Sequence, residues 1–157
     1  MAVEAEDSAA PLREAWYYAA PSRAVRRGGM LARQMLGEPV LLGRNRHGRV
    51  FALRDICPHR GMPLSEGGFD GGEIECCYHG WRFTTEGRCT AIPSLVAGQD
   101  FDLERIGVPA YPAREAQGNI WVFFGSDSAP RQTAQNGYSC RRALCIQIAA
   151  RIVHQQP

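Results

Sequence analysis

From Trp16 onward, short apolar stretches alternate with clusters of Gly, Pro, Asn and Asp, a pattern typical of consecutive β-strands joined by tight turns. The pattern predicts strands over residues 16–19, 31–36, 40–44, 50–54, 74–77, 82–84, 88–92 and 120–124. Asn45-Arg46-His47-Gly48 predicts the turn of a hairpin, and residues 22–26 predict one helical turn. Many short strands with Gly and Pro turns favour an all-β sandwich or barrel.

The two ends of the chain lack this pattern. Residues 1–14 are rich in Ala and Glu and are predicted to form a flexible N-terminus. After Gly125, Ser126-Asp127-Ser128-Ala129-Pro130 predicts a linker, and no period of 2 or 3.6 residues follows it. We therefore expect one folded domain over residues 15–125 and a linker and tail of uncertain structure over residues 126–157.

Composition and charge exclude several classes of protein. The 157 residues are 45% hydrophobic and 22% charged, as in a soluble globular protein. A net charge of +2 does not favour binding to nucleic acid or to a membrane surface. The acidic first residues do not resemble a signal peptide, and the apolar stretch 143–153 is too short to cross a bilayer. We expect a cytoplasmic protein whose six cysteines are reduced, which makes metal binding the better explanation for a cysteine beside a histidine.

Two short segments carry the chemistry. Cys57-Pro58-His59 is followed, after sixteen residues, by Cys76-Cys77-Tyr78-His79, so that each segment supplies one thiolate and one imidazole. Two loops facing each other can place Cys57 and Cys76 on one iron and His59 and His79 on the other. This is the ligand arrangement of a Rieske-type [2Fe–2S] cluster, and we predict one such cluster here.

Zinc is the alternative, because two cysteines and two histidines also satisfy a tetrahedral site. Structural zinc sites more often pair like residues within one segment, whereas both segments here are mixed. The cluster is therefore favoured, and a visible absorption spectrum with iron and acid-labile sulfide analysis separates the two.

The remaining candidate residues are given no metal role. Cys77 is expected to be a buried thiol pointing away from the cluster, and His47 is expected in a solvated turn. Arg60 and Arg82 flank the loops and suit either partner docking or plain solvation. The other residues considered are Cys89, Cys140, Cys145 and His154, which are expected to be free thiols and a histidine without a partner.

The chain resembles the N-terminal Rieske domain of ring-hydroxylating or O-demethylating Rieske non-haem iron oxygenases. The resemblance covers about residues 15–125, and only Cys77, where the family pattern has a proline, departs from it. The matching motifs are Trp16-Tyr17-Tyr18, Leu36-Gly37-Glu38-Pro39-Val40, Cys57-Pro58-His59-Arg60-Gly61-Met62-Pro63-Leu64-Ser65, Tyr78-His79-Gly80-Trp81-Arg82-Phe83, Gly87-Arg88-Cys89-Thr90-Ala91-Ile92-Pro93 and Gly118-Asn119-Ile120-Trp121-Val122.

The resemblance implies an antiparallel β-sandwich with a small cluster-binding subdomain of two loops. It also implies that the cluster takes an electron from a reductase or ferredoxin and passes it to a mononuclear iron in a neighbouring subunit of a trimer. Respiratory Rieske proteins differ: they carry a disulfide cysteine where this chain has Met62 and Tyr78. They also have Ser and Tyr hydrogen-bond donors where this chain has Trp81 and Phe83, which implies a midpoint potential near the low end of the Rieske range, roughly −150 mV.

The oxygen-activating iron of that family has no counterpart here. Such a site needs two histidines and a carboxylate, and neither His47 nor His154 lies in the family's motif. We therefore expect no substrate turnover by this chain alone. Three interpretations remain open: the electron-transfer part of an oxygenase whose catalytic half is missing, a stand-alone Rieske-type ferredoxin, and a zinc or structural module.

Overall fold

The computed structural model describes residues 14–96 and 102–125, and within these ranges the chain is built from β-strands and three 3-10 turns, with no α-helix. The 3-10 turns are Ser22–Ala24, Leu64–Glu66 and Leu103–Arg105. The strands in chain order are β1 (Ala15–Pro21), β2 (Gly29–Met35), β3 (Glu38–Arg44), β4 (Val50–Arg54), β5 (Gly68–Phe69), β6 (Glu73–Glu75), β7 (Arg82–Thr84), β8 (Cys89–Ala91), β9 (Ala110–Tyr111), β10 (Ala113–Ala116) and β11 (Asn119–Phe124).

The strands form three antiparallel sheets. Their orders are β1-β11-β10, β2-β3-β4-β9 and β5-β6-β7-β8. The all-β antiparallel fold predicted from the sequence is confirmed. No helix within the described ranges combines the length and the apolar character that crossing a membrane requires.

The sheet that contains β3 and β4 is apolar on both faces. Val40 and Leu42 join one buried cluster together with Ile120 and other residues of the β1-β11-β10 sheet. Leu41, between them in sequence, joins the other cluster, which includes the small β5-β6-β7-β8 sheet. Successive side chains of a strand point to opposite faces, so β3 lies between two cores.

The predicted strands overlap observed ones, with local differences. The turn Asn45-Arg46-His47-Gly48 is confirmed: it joins β3 to β4, and the Gly48 N–H donates to the Asn45 carbonyl at 3.0 Å. The predicted strand 74–77 extends too far, because Cys76 and Cys77 lie beyond β6 in a loop. The helical turn predicted over residues 22–26 is a 3-10 turn over Ser22–Ala24.

Some expectations concern residues outside the described ranges. These are the flexible N-terminus except for Glu14, the tail 126–157, and with it Cys140, Cys145 and His154.

Candidate metal centre

The two predicted ligand segments form two loops of the same backbone construction. In the first, between β4 and β5, the Cys57 N–H donates to the Met62 carbonyl at 2.7 Å and the Gly61 N–H donates to the Cys57 carbonyl at 2.9 Å. In the second, between β6 and β7, the Cys76 N–H donates to the Trp81 carbonyl at 2.9 Å and the Gly80 N–H donates to the Cys76 carbonyl at 3.0 Å. Each loop therefore starts at a cysteine and closes through a glycine four residues later.

Both closing residues need the conformational freedom of glycine. Gly61 has φ +74° and Gly80 has φ +68°, in the left-handed region that costs residues with a Cβ atom about 1–2 kcal/mol. A Cβ atom on Gly80 would also lie 3.2 Å from Cγ of Pro93, whereas one on Gly61 would meet nothing within 4 Å. The second loop is thus covered by the segment at Pro93, and the first is open at the equivalent place.

The loops bring the two cysteines together in the interior. Cys57 and Cys76 are 1% and 3% exposed, and both are free thiols. Their side chains are in hydrogen-bond contact, and the backbone N–H groups of His59 and Arg60 face the Cys57 sulfur. N–H groups directed at sulfur suit a thiolate, because such donors stabilise its negative charge.

The two histidines form a second pair. The ring centroids of His59 and His79 lie 4.6 Å apart, with His59 half-buried and His79 exposed. The Trp81 ring stacks on the His59 ring, parallel to it within 4° and with a centroid distance of 4.6 Å. Tyr78 packs against His79 at 3.9 Å. The site therefore has a buried thiol end and an imidazole end that reaches solvent.

The pKa values of Cys57 and His59 agree with a metal-containing group. Burial, reinforced by the adjacent Cys76 thiol, raises the pKa of Cys57 from 9.0 to about 11, so the Cys57 thiol keeps its proton at neutral pH unless a cation replaces it. A coordinated metal ion provides that replacement. Desolvation, followed by the electrostatic influence of His79 and Arg60, lowers the pKa of His59 and favours the neutral imidazole that binds metals.

Two polar pairs hold the bases of the loops. The buried carboxylate of Asp55, two residues before Cys57, accepts hydrogen bonds from the Ser65 N–H at 2.8 Å and the Ser65 hydroxyl at 2.5 Å. At the second loop, Glu75 and Arg82 form a more exposed ion pair at 2.7 Å. Sequence reasoning missed both pairs, and the only signal for the first is an Asp and a Ser on either side of the cysteine loop.

The donor set fits a two-centre cluster. The cysteines and the histidines form two like pairs from two facing loops. In addition, the Trp81 indole nitrogen is buried without a hydrogen-bond partner in this part of the chain, so a bound group that carries acceptors would satisfy it.

The other candidate residues lie away from the paired ligands or at the surface. Cys77 is exposed, so the expectation that it is a buried thiol is wrong; the loop carries it outward between Cys76 and His79. Cys89 is a buried free thiol, and His47 lies exposed in the β3–β4 turn, both as expected. Arg60 and Arg82 are exposed beside the loops.

Comparison with known proteins identifies the domain. The family model of the Rieske [2Fe-2S] domain matches residues 15–112. The chain is 38% identical over 122 residues to chloroplastic chlorophyllide a oxygenase of Chlamydomonas reinhardtii, an alignment covering 78% of this chain and 18% of that protein. It is 35% identical over 130 residues to the oxygenase component of dicamba O-demethylase of Stenotrophomonas maltophilia, covering 83% of this chain and 37% of that protein.

A solved structure agrees with these relatives. The reduced complex between oxygenase and ferredoxin of carbazole 1,9a-dioxygenase contains a chain that matches with a TM-score of 0.67 and 28% identity, covering 75% of this chain and 30% of that one. The present chain therefore spans between about a fifth and somewhat more than a third of the lengths of these proteins.

Proposed function

The chain belongs to the family of Rieske [2Fe–2S] domains, and from this premise we propose that it is the electron-transfer domain of a ring-hydroxylating or O-demethylating oxygenase. Its cofactor is one Rieske-type [2Fe–2S] cluster. Relatives named as oxygenase proteins support the oxygenase assignment over a stand-alone ferredoxin.

We propose that Cys57 and Cys76 bind one iron and that His59 and His79 bind the other. The observation that carries this assignment is the pairing of like ligands at the ends of two loops with the same backbone hydrogen bonds. Bound there, the cluster supplies reversible one-electron transfer. The protein's part is to bury the thiol end, to direct N–H groups at sulfur, and to hold the imidazoles at the surface.

The exposed imidazole end is where we expect electrons to enter and leave. Cys57 and Cys76 are enclosed by the core, whereas His79 and the neighbouring Tyr78 are exposed. We propose a reductase or ferredoxin as the donor and a mononuclear iron domain, in the same or a neighbouring subunit, as the acceptor. The solved oxygenase–ferredoxin complex of a related chain and the greater length of the relatives support these partners.

We propose no nucleic acid and no membrane as partner. We also propose a cytoplasmic location, since free thiols such as Cys77 and Cys89 suit a reducing compartment.

The ligand assignment is tested by cluster content. The chain is produced with iron and sulfide, and its visible absorption, iron and acid-labile sulfide are compared among wild type, C57S, H59A and H79A. Each substitution removes one ligand of the set, so we expect loss of the reddish-brown chromophore and of bound iron. The matched control is H47A, which removes an exposed histidine in the β3–β4 turn and is expected to keep the wild-type spectrum.

Two outcomes contradict the proposal. A colourless wild-type protein that holds one zinc ion per chain contradicts the cluster. Full iron content and colour in H59A or H79A contradicts the assignment of the imidazole end.

A further inference from the structure

The indole N–H of Trp81 has an unusual environment. Its nitrogen is buried and has no hydrogen-bond partner within residues 14–96 and 102–125. The indole of Trp121 provides a contrast, since its N–H donates to the Ala116 carbonyl at 3.4 Å. A buried tryptophan N–H usually finds an acceptor, and leaving a buried donor unsatisfied costs about 1–3 kcal/mol.

Trp81 connects the two ligand loops. Its backbone carbonyl accepts the Cys76 N–H in the second loop, while its ring lies flat on His59 of the first loop. The side chain also packs against the buried cluster that contains both Cys57 and Cys76. The indole is therefore in contact with both loops, between which the [2Fe–2S] group would bind.

We propose that Trp81 is a positioning and redox-tuning residue, whose indole N–H donates a hydrogen bond to a sulfur of the [2Fe–2S] group while its ring fixes the plane of His59. This inference rests on the proposed ligand set. Sulfide and thiolate sulfurs are the acceptors that the loaded site adds, and they account for a donor that the described residues leave unsatisfied. Trp81 thus provides a hydrogen-bond donor although it has no hydroxyl group, whereas the buried Phe83 provides no donor.

The hydrogen bond predicts a direction for the midpoint potential. Reduction adds negative charge to the sulfurs, so a donor stabilises the reduced state more than the oxidised state. Removing the N–H while keeping an aromatic ring should therefore lower the potential. W81F makes that change, because phenylalanine can still stack on His59 but has no donor.

The test compares the midpoint potentials of wild type, W81F and W121F by redox titration of the holoprotein. We expect W81F to lower the equilibrium constant for one-electron reduction about tenfold, which corresponds to a midpoint potential lower by about 59 mV. W121F is the matched control, because its indole already has an acceptor in the protein on a different sheet. Equal potentials for W81F and W121F would overturn the proposal.

A second measurement uses the wild-type holoprotein and does not depend on the folding of any variant. Tryptophan labelled with ¹⁵N at the indole nitrogen is incorporated, and the reduced protein is examined by pulsed EPR. A hydrogen bond to sulfur predicts a ¹⁵N hyperfine coupling to the paramagnetic centre, and its absence in protein with full iron and sulfide content overturns the role of Trp81 alone. Wild-type protein that contains no iron–sulfur group contradicts the proposed function instead.

Discussion

Asp55 is a charged residue buried at the base of the first ligand loop, with 5% of its surface exposed. Its two hydrogen bonds from Ser65 join the end of β4 to the 3-10 turn after the loop. We expect D55A to lower the free energy of unfolding by about 1–3 kcal/mol, because the Ser65 N–H loses its acceptor inside the protein. Iron should also leave the holoprotein faster, since the loop that carries Cys57 and His59 loses the side-chain bonds that join its two ends.

Urea unfolding and the rate of iron transfer to a chelator measure these effects. D70A is the control, because Asp70 also accepts two backbone N–H groups, from Gly72 and Glu73, but is exposed, so that water can replace it. Equal effects of D55A and D70A would show that burial of the Asp55 pair has no special importance.

Glu115 provides a prediction of pH dependence. The hydrogen bond from Arg44 at 2.6 Å, helped by the charge of the guanidinium, lowers the pKa of Glu115. A carboxylate whose pKa is lower in the folded state stabilises the fold above its unfolded pKa of about 4.3 and loses this contribution as the pH falls through the folded pKa. Because the Glu115 side chain is 40% exposed, the contribution should be only about 0.5 kcal/mol.

The measurement is the difference in unfolding free energy between wild type and E115Q across the pH range. We expect wild type to be more stable than E115Q at pH 7, and we expect this difference to disappear as the pH falls through the lowered pKa of Glu115 in the folded state. A difference that is constant with pH would contradict the role of the charged Glu115–Arg44 pair.

At the scale of elements, short apolar stretches bounded by turn residues were enough to predict the longer strands. β3 and β4 were found from residues 40–44 and 50–54 because β-branched and aliphatic residues end at a strong turn signal. Strands β5 and β9 were missed because each is two residues long, too short for any period to be visible. β10 was missed because Ala113–Ala116 has an ordinary surface composition, and only its pairing with β11 makes it a strand.

The ligand loops show the same division between local and non-local information. The four proposed ligands were chosen from residue type and spacing, and in the structure the two cysteines lie in contact and the two histidine rings lie 4.6 Å apart. The strand predicted over residues 74–77 ended too late, because the hydrogen bond from the Cys76 N–H to the Trp81 carbonyl turns the chain into a loop. The Asp55–Ser65 pair and the Trp81 N–H, which has no acceptor among the residues that the structure describes, depend on three-dimensional packing, which spacing does not encode.

The glycines of the two loops allow a comparison within one motif. Gly61 and Gly80 have similar positive φ angles, but only Gly80 is close to another segment, at Pro93. We expect G61A to cost about 1–2 kcal/mol of unfolding free energy, from the left-handed backbone alone, and to retain the cluster. G80A should cost more and should lower the iron content, because the new methyl group also pushes against Pro93.

Urea unfolding of both variants, with iron analysis of each, distinguishes the two contributions. If G61A and G80A lose the same stability and the same iron, the contact with Pro93 does not constrain the second loop.

At the scale of the whole molecule, one sheet connects two separate cores. The β2-β3-β4-β9 sheet packs by one face on the β1-β11-β10 sheet, and by the other on the apolar cluster that includes Cys57 and Cys76. The residues that bury the two thiols therefore differ from those that pack against the sheet of β1 and β11. Neighbouring positions of β3 contribute to both sets.

Leu41 and Leu42 test this division, because both are fully buried and adjacent in β3 but face different cores. L41A and L42A should each lower the free energy of unfolding by about 2–5 kcal/mol, the usual cost of a cavity left by leucine. Only L41A leaves its cavity in the core that contains the thiols, so it alone should speed iron release from folded holoprotein and shift the visible spectrum. Urea unfolding combined with chelator kinetics measures both quantities on the same samples. Iron release from L42A as fast as from L41A would mean that the two cores act as one unit, and that the stability of the whole domain, not the packing around Cys57 and Cys76, controls how firmly the iron is held.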